Sequence, residues 1–279
     1  MNIEKLANDI ANWIKQYCET NGIKSLVVGV SGGIDSSVVA SLCVRTGIQT
    51  ILISIPMDLE RDKDAFSKAN KLCVKLEQDM LVFEISNIIE AYKKAGLGIN
   101  FGNNNGKLEE GNLRSMIRAD ILYTIASRNN GIVMGTGNKD EDEIGYFTKK
   151  GDGATDANCL SDIHKSVVYK LGEFLGVPES ILNAKPTAGL WDGQTDEDEL
   201  GMTYDEVEWA IKQDELMKNE AAFDKDGNWI IVKKYMLEEK SYTSRQKEVL
   251  AKVRHMRKKN AHKLAYPPVF KVDMENYNG

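Results

Sequence analysis

Apolar side chains at Ile3, Leu6, Ile10, Trp13, Ile14 and Tyr17 recur at helical spacing, so residues 3 to about 20 read as an amphipathic helix stopped by Asn21-Gly22. The pattern then changes. SLVVGV at 25–30 is a short apolar run rich in β-branched residues, suited to a strand buried on both faces, and SSVVASLCVR after Asp35 returns to helix. The alternation continues with a strand at 51–55, a charged helix at about 62–78, a strand at 80–85 and a short helix. An Asn/Gly-rich stretch at 99–112, containing FGNNNG, is expected to be an exposed loop, with a substrate lid as the alternative. A helix at about 112–129 leads into a strand at 131–136. Strands separated by helices predict an α/β fold: a doubly wound parallel sheet with helices on both faces. Ligands of such sheets lie beyond the carboxyl ends of the strands, which directs attention to the loops after Val30 and Thr136.

Beyond residue 137 the periodicity weakens. Polar loops at 137–156 and 184–201 flank a helix at 165–176, and further helices are expected at about 203–218 and 242–260. Between those two, FDKDGNWIIVKKY reads as a turn and strand within an inserted segment at about 220–241. A chain of 279 residues with 42% hydrophobic positions suffices for one domain spanning 1–279. Its net charge of −6 provides no electrostatic footprint for nucleic acid and favours a small-molecule substrate. The lack of a long apolar run predicts a soluble, cytoplasmic protein without membrane contact. The four cysteines, Cys18, Cys43, Cys73 and Cys159, form no CxxC pair and are expected to be buried thiols.

Ser31-Gly32-Gly33-Ile34-Asp35-Ser36-Ser37 lies between a buried strand and a helix. Glycines allow close backbone approach to an anion, the helix directs its positive end there, and serine hydroxyls add donors. The run is neither GxxxxGK[ST] nor GxGxxG. It resembles SGGxDS, the signature of the N-type ATP pyrophosphatases, with their adenine-nucleotide alpha-hydrolase-like fold. GTGNKDEDEIGYFTKKGDGATD at 135–156, KPTAGLWDGQTDEDELGMTYDE at 185–206 and His262-Lys263 resemble, in order and spacing, the ammonia-dependent NAD synthetases of that superfamily. The similarity covers roughly 1–210 and the last twenty or so residues.

That resemblance implies an enzyme that adenylates the carboxylate of deamido-NAD with ATP and amidates it with ammonia, acting as a homodimer. It implies Asp35 and Glu141 as ligands of Mg²⁺, Asp35 and Lys165 as catalytic, and Gly29, Val30, Ser31, Gly32, Gly33, Asp35, Ser36, Thr136, Lys165 and Thr187 as the ATP site. Arg118, Lys149, Asp152, Asp156, His262 and Lys263 match positions that bind deamido-NAD; His164 and His255 match no role. Three departures stand out: Met116 where the family's Arg-x-Arg pair has its first arginine, with Arg114 as a candidate substitute one turn before Arg118; Leu264 where arginine usually follows His-Lys; and the inserted segment. A tRNA-modifying or other amidating member of the superfamily is the runner-up, although this acidic chain has neither catalytic cysteine pairs nor a basic RNA-binding region. An inactive nucleotide-binding module is the alternative of a different class.

Overall fold

A computed structural model describes residues 1–97, 104–187, 195–219, 222–223, 229–230 and 241–272. The first helix, α1 (Ile3–Asn21), starts where Asn2 accepts from the Lys5 amide at 2.9 Å and ends at Gly22, φ 68°. Its buried residues Ala7, Ile10, Ala11, Ile14 and Cys18 form one stripe that shares Ile10 and Ile14 with the set read from the sequence, whereas Trp13 and Tyr17 are 46% and 37% exposed. Then follow β1 (Ser25–Gly29), α2 (Ile34–Arg45), β2 (Gln49–Ser54), α3 (Lys63–Lys75), β3 (Met80–Val82), α4 (Ser86–Tyr92), α5 (Asn104–Arg128) and β4 (Gly131–Gly135). The second half contains α6 (Lys139–Ile144), β5 (Ala157–Asn158), α7 (Lys165–Phe174), α8 (Glu179–Leu182), α9 (Asp196–Leu200), α10 (Tyr204–Asn219), β6 (Ala222–Phe223), β7 (Trp229–Ile230) and α11 (Ser244–Leu264).

The main sheet is parallel with strand order β3-β2-β1-β4-β5. The chain winds outward through β2 and β3, then returns to the other side of β1, so the switch point falls between β1 and β4, where a crevice opens at the carboxyl edge. Alternate strand residues feed opposite cores. Leu26 and Val28 of β1 join α1, α2, α3 and α7, whereas Val27 joins Ile53, Val133, Ile89 of α4 and Ile117 of α5. A third apolar cluster holds Ile144 of α6 against α9, α10 and α11 through Leu200, Val207, Ile211, Val249 and Val253. No described helix is long and apolar enough to cross a membrane.

The doubly wound architecture is as the pattern predicts, with differences that have local causes. Of the strand expected over 80–85, regular pairing ends at Val82 opposite Ser54; the Phe83 and Ile85 amides still donate to Ser54 O and Pro56 O at 3.0 and 3.2 Å, but Pro56 has no N–H to return a bond. Helix α5 starts at Asn104, inside the stretch expected to be a loop, and Leu108, Glu109 and Glu110 are residues that favour helix. The 99–103 portion of that stretch lies outside the described residues, as do 188–194 of the second polar loop. Within the segment at 220–241 the short antiparallel pair β6–β7 and Ser241 are described, and the remainder lies outside. Helix α11 extends to Leu264, so His262 and Lys263 occupy its last turn, where cations complement the helix dipole.

Candidate active site

The turn from β1 into α2 crosses the sheet's carboxyl edge. Gly29 ends β1, the Val30 amide donates to Ile53 O at 2.7 Å, and Gly32 takes φ +82°. A Cβ on Gly32 would lie 2.4 Å from the Ala65 carbonyl oxygen, so steric room and backbone conformation both require glycine. The serines brace the turn: Ser31 Oγ lies 3.0 Å from Ser36 Oγ and accepts from the Gly33 amide at 3.2 Å, while Ser36 and Ser37 hydroxyls donate to Gly33 O at 3.1 and 2.7 Å. Helix α2 has Gly33 at its N-cap and no side-chain cap, leaving its positive end available to an anion. Gly32→Ala is expected to destabilise the protein by about 1–3 kcal/mol in urea unfolding and to abolish ATP binding. An unchanged unfolding midpoint would show that the turn relaxes around the methyl group.

Across the switch point, α6 is built by capping rather than by an apolar stripe. Asn138 Oδ1 accepts from the Asp140 and Glu141 amides at 3.0 and 3.2 Å, and Glu141 Oε2 accepts from the Asn138 amide at 3.3 Å, a reciprocal capping box. Asn138 is fully buried, and its Nδ2 donates to Asp35 Oδ1 at 3.0 Å. One asparagine thus sets Glu141 on its helix and ties it to Asp35 on the neighbouring loop.

Lys165, the first residue of α7, closes the cluster. Its Nζ donates to Asp35 Oδ2 at 2.6 Å and Glu141 Oε1 at 3.2 Å and lies 4.6 Å from the centre of the Tyr204 ring. Burial opposes the ammonium charge, but Asp35 and Glu141 outweigh it and hold Lys165 above the ordinary lysine range. Burial pushes the Glu141 carboxyl up, Lys165 pulls it down, and the negative Asp35 and Asp196 add to the upward shift. The Tyr204 hydroxyl lies 3.0 Å from Glu141 Oε1 and 2.9 Å from Asp196 Oδ2. Burial, Glu141 and Asp196 raise its pKa, so it remains a phenol.

Proton accounting shows what this cluster favours. The Tyr204 phenol hydrogen serves Glu141 or Asp196, the Tyr146 hydroxyl stands 3.4 Å from Asp196, Asn138 donates to Asp35, and one ammonium is set against the three carboxylates Asp35, Glu141 and Asp196. The surplus of negative oxygen, all of it hard donor atoms, fits a small divalent cation such as Mg²⁺. Asn138, Asp196 and Tyr204 are members that sequence reasoning missed; the N-x-x-E capping signature was the available signal for Asn138.

The remaining expected site residues are more dispersed. Thr136 follows β4 directly, and Thr187 is exposed at the last described position before 188–194. Arg118 Nε donates to Ile55 O at 3.0 Å. Asp152 Oδ1 accepts from Ser115 Oγ at 2.7 Å and the Thr148 amide at 3.0 Å. Asp156 Oδ2 accepts from the Val133 amide at 2.8 Å, fastening β5 beside β4. Lys149 Nζ donates to His262 O, and Lys263 Nζ donates to Gly145 O and Phe147 O, both at 2.7 Å, which gathers the basic residues of the α6–β5 loop and α11 on one side. Arg114 does not serve as the outward substitute for an arginine at 116. It is buried and paired with Glu110, whereas Met116 lies on another face of α5 and is 36% exposed.

A doubly wound sheet with a glycine–serine turn at an uncapped helix start and a carboxylate–lysine cluster at its switch point is the arrangement of α/β enzymes that act on phosphate-bearing substrates. Residues 6–267 match the NAD synthase family model, and the chain belongs to that family. The match runs through the 220–241 segment and farther than the motifs alone indicated. An NH3-dependent NAD+ synthetase from Methanococcoides burtonii is 41% identical over 214 residues, 76% of this chain and 80% of the relative. One from Methanocaldococcus jannaschii is 34% identical over 95% of this chain and 96% of its own length. The solved structure of an NMN synthetase from Francisella tularensis superimposes with a TM-score of 0.76 at 31% identity, covering 97% of this chain and 100% of the other.

Proposed function

We propose that this chain is an ammonia-dependent NAD+ synthetase. The observation that carries the reading is the Lys165 ammonium seated between Asp35, which follows the Gly-Ser turn, and Glu141 from the other side of the switch point. A deamido-NAD carboxylate oxygen attacks the α-phosphorus of ATP, the bond from that phosphorus to the α–β bridging oxygen breaks, and pyrophosphate leaves. Ammonia then attacks the acyl carbon, the acyl C–O bond to AMP breaks, and the nitrogen loses a proton to solvent. No protein nucleophile is required. The first-turn amides of α2, Ile34, Asp35 and Ser36, receive the departing pyrophosphate, with Thr136 and Thr187 completing the ATP site. Lys165 offsets charge growing on the phosphates. Asp35 and Glu141 hold Mg²⁺, which supplies charge neutralisation on the ATP phosphates. Arg118, Lys149, Asp152, Asp156, His262 and Lys263 form the deamido-NAD side.

We read the protein as a cytoplasmic homodimer. Leu81 and Val82 of the edge strand β3, Ile88 of α4 and Leu108 and Met116 of α5 are apolar and exposed, and the four cysteines are free thiols. Purified protein with ATP, Mg²⁺ and deamido-NAD is expected to form NAD+ and AMP with ammonium and not with glutamine alone, measured by chromatography. Robust glutamine-dependent synthesis would overturn the nitrogen source. Because one structural relative is an NMN synthetase, the same assay with the deamido mononucleotide separates the two acyl substrates; a strong preference for it would replace deamido-NAD. Met116→Arg adds a guanidinium on an exposed position and is expected to leave KM for deamido-NAD equal or lower. A large rise in KM with the fold intact would show that 116 is not equivalent to the family's first arginine.

A further inference from the structure

Asp140 and His164 have no part in the chemistry above, although Asp140 is fully buried. Helix α7 has His164 at its N-cap, but that side chain makes no capping bond to its own helix. The cap comes from α6 instead. Asp140 Oδ2 accepts from the Lys165 amide at 2.7 Å, and Asp140 Oδ1 faces His164 Nδ1, also at 2.7 Å; since the carboxylate can only accept, the ring N–H donates. The adjoining Lys139 amide donates to Ile163 O at 3.0 Å. Three bonds therefore join the start of α6 to the start of α7, and the residues next in sequence to Asp140 and His164 are Glu141 and Lys165. Glu208 of α10 extends the junction: one polar atom from each of Asp140, His164 and Glu208 lies within 4.8 Å of the other two, and α10 also carries Tyr204.

We propose that Asp140 and His164 are positioning residues for the adenylation step, an inference that rests on the function proposed above. Asp140 caps α7 from the neighbouring helix, His164 fixes the direction of the Asp140 carboxylate, and together they set the Lys165 ammonium between Asp35 and Glu141. Both Asp140 oxygens already have protein donors, so the cluster acts as a junction between helices. Loosening it lets the start of α7, and with it Lys165, shift relative to α6, and misplacement of a charged group by about 1 Å costs up to about 100-fold in rate.

The test compares wild type, His164→Ala, His164→Asn and Asp140→Asn in pyrophosphate release with deamido-NAD and ATP varied, alongside unfolding midpoints and bound-metal analysis. His164→Ala is expected to lower kcat by about 10- to 100-fold while KM for ATP changes by less than about threefold, because Lys165 acts on charge that develops in the transition state. His164→Asn, whose Nδ2–H stands where Nδ1–H stood, should recover most of that loss even though its unfolding midpoint resembles that of His164→Ala. Asp140→Asn keeps size and an acceptor for the Lys165 amide but removes the charge, and should lower kcat in the same way if His164→Ala does not fold. Wild-type kcat in the Ala variant or in Asp140→Asn, or a loss that merely follows the unfolded fraction, overturns the proposal. So does a transition metal bound in equal amount to the wild type and lost from His164→Ala, which would make the cluster a metal site. If the wild type releases no pyrophosphate with deamido-NAD, the functional reading fails instead.

Discussion

Asp35→Asn and Glu141→Gln are each expected to cut Mg²⁺-dependent pyrophosphate release by about 100- to 1,000-fold, the scale on which a single preorganised electrostatic contact acts in a desolvated site. Each keeps the size of the side chain and removes one charge from a cluster in which three carboxylates face one ammonium. The fold should survive, because each amide keeps one acceptor oxygen and losing one carboxylate relieves repulsion from the others, although the new NH2 faces a donor that the carboxylate accepted from. The two residues lie 106 positions apart in the chain yet both contact Nζ of Lys165. If they serve one ion, their effects are not independent, and the double variant should be little worse than the poorer single one. The measurement is pyrophosphate release across a Mg²⁺ titration at saturating deamido-NAD. Wild-type Mg²⁺ dependence in Glu141→Gln would remove that residue from the metal site, and strictly multiplicative losses would argue for two separate roles.

The parts of this molecule legible in the sequence are those whose formation depends on burial alone. β1 is a continuous apolar run because both of its faces are covered, and α1 shows its stripe because one face is. Helix α6 has six residues and buries Ile144 as its one apolar side chain, so no periodicity marks it; its geometry comes from Asn138 and Glu141 capping each other. β5 has two residues and owes its place to the Asp156 carboxylate on the Val133 amide, which no apolar pattern reveals. The acidic run Asp140–Glu143 looks like a single charged stretch, but helical geometry separates its members. Asp140 is buried against α7, Glu141 faces Lys165, Asp142 accepts from Ser161, and Glu143 pairs with Arg257 of α11. In the same way Asp35, Glu141 and Lys165 are recognisable from motif resemblance, whereas Asp196 and Tyr204 join them only because the third apolar cluster holds α9 and α10 against α6.

Removal of the Lys165 charge should move catalysis and metal affinity in opposite directions. Lys165→Met fills much of the same volume with an apolar chain but leaves Asp35, Glu141 and Asp196 without their shared cation. Two unit charges about 4 Å apart interact by about 4 kcal/mol at an effective dielectric near 20, so the cluster then carries substantial uncompensated repulsion. Three consequences are expected. The variant should lose about 1,000-fold in kcat for pyrophosphate release, since nothing replaces the ammonium at the phosphates. Without divalent ions it should unfold at a lower temperature than wild type. Free of ATP it should bind Mg²⁺ at least about tenfold more tightly, worth about 1.4 kcal/mol, so that added Mg²⁺ restores more of its thermal stability than it adds to wild type. Lys165→Arg keeps the charge and should not gain this affinity, yet its planar fork does not match a position 2.6 Å from Asp35, 3.2 Å from Glu141 and over the Tyr204 ring, so kcat still falls. Calorimetric Mg²⁺ titration of the three proteins, paired with pyrophosphate assays, decides the matter. Weaker Mg²⁺ binding in Lys165→Met would mean that Lys165 organises the carboxylates for the ion instead of competing with it, and wild-type kcat would remove Lys165 from the reaction.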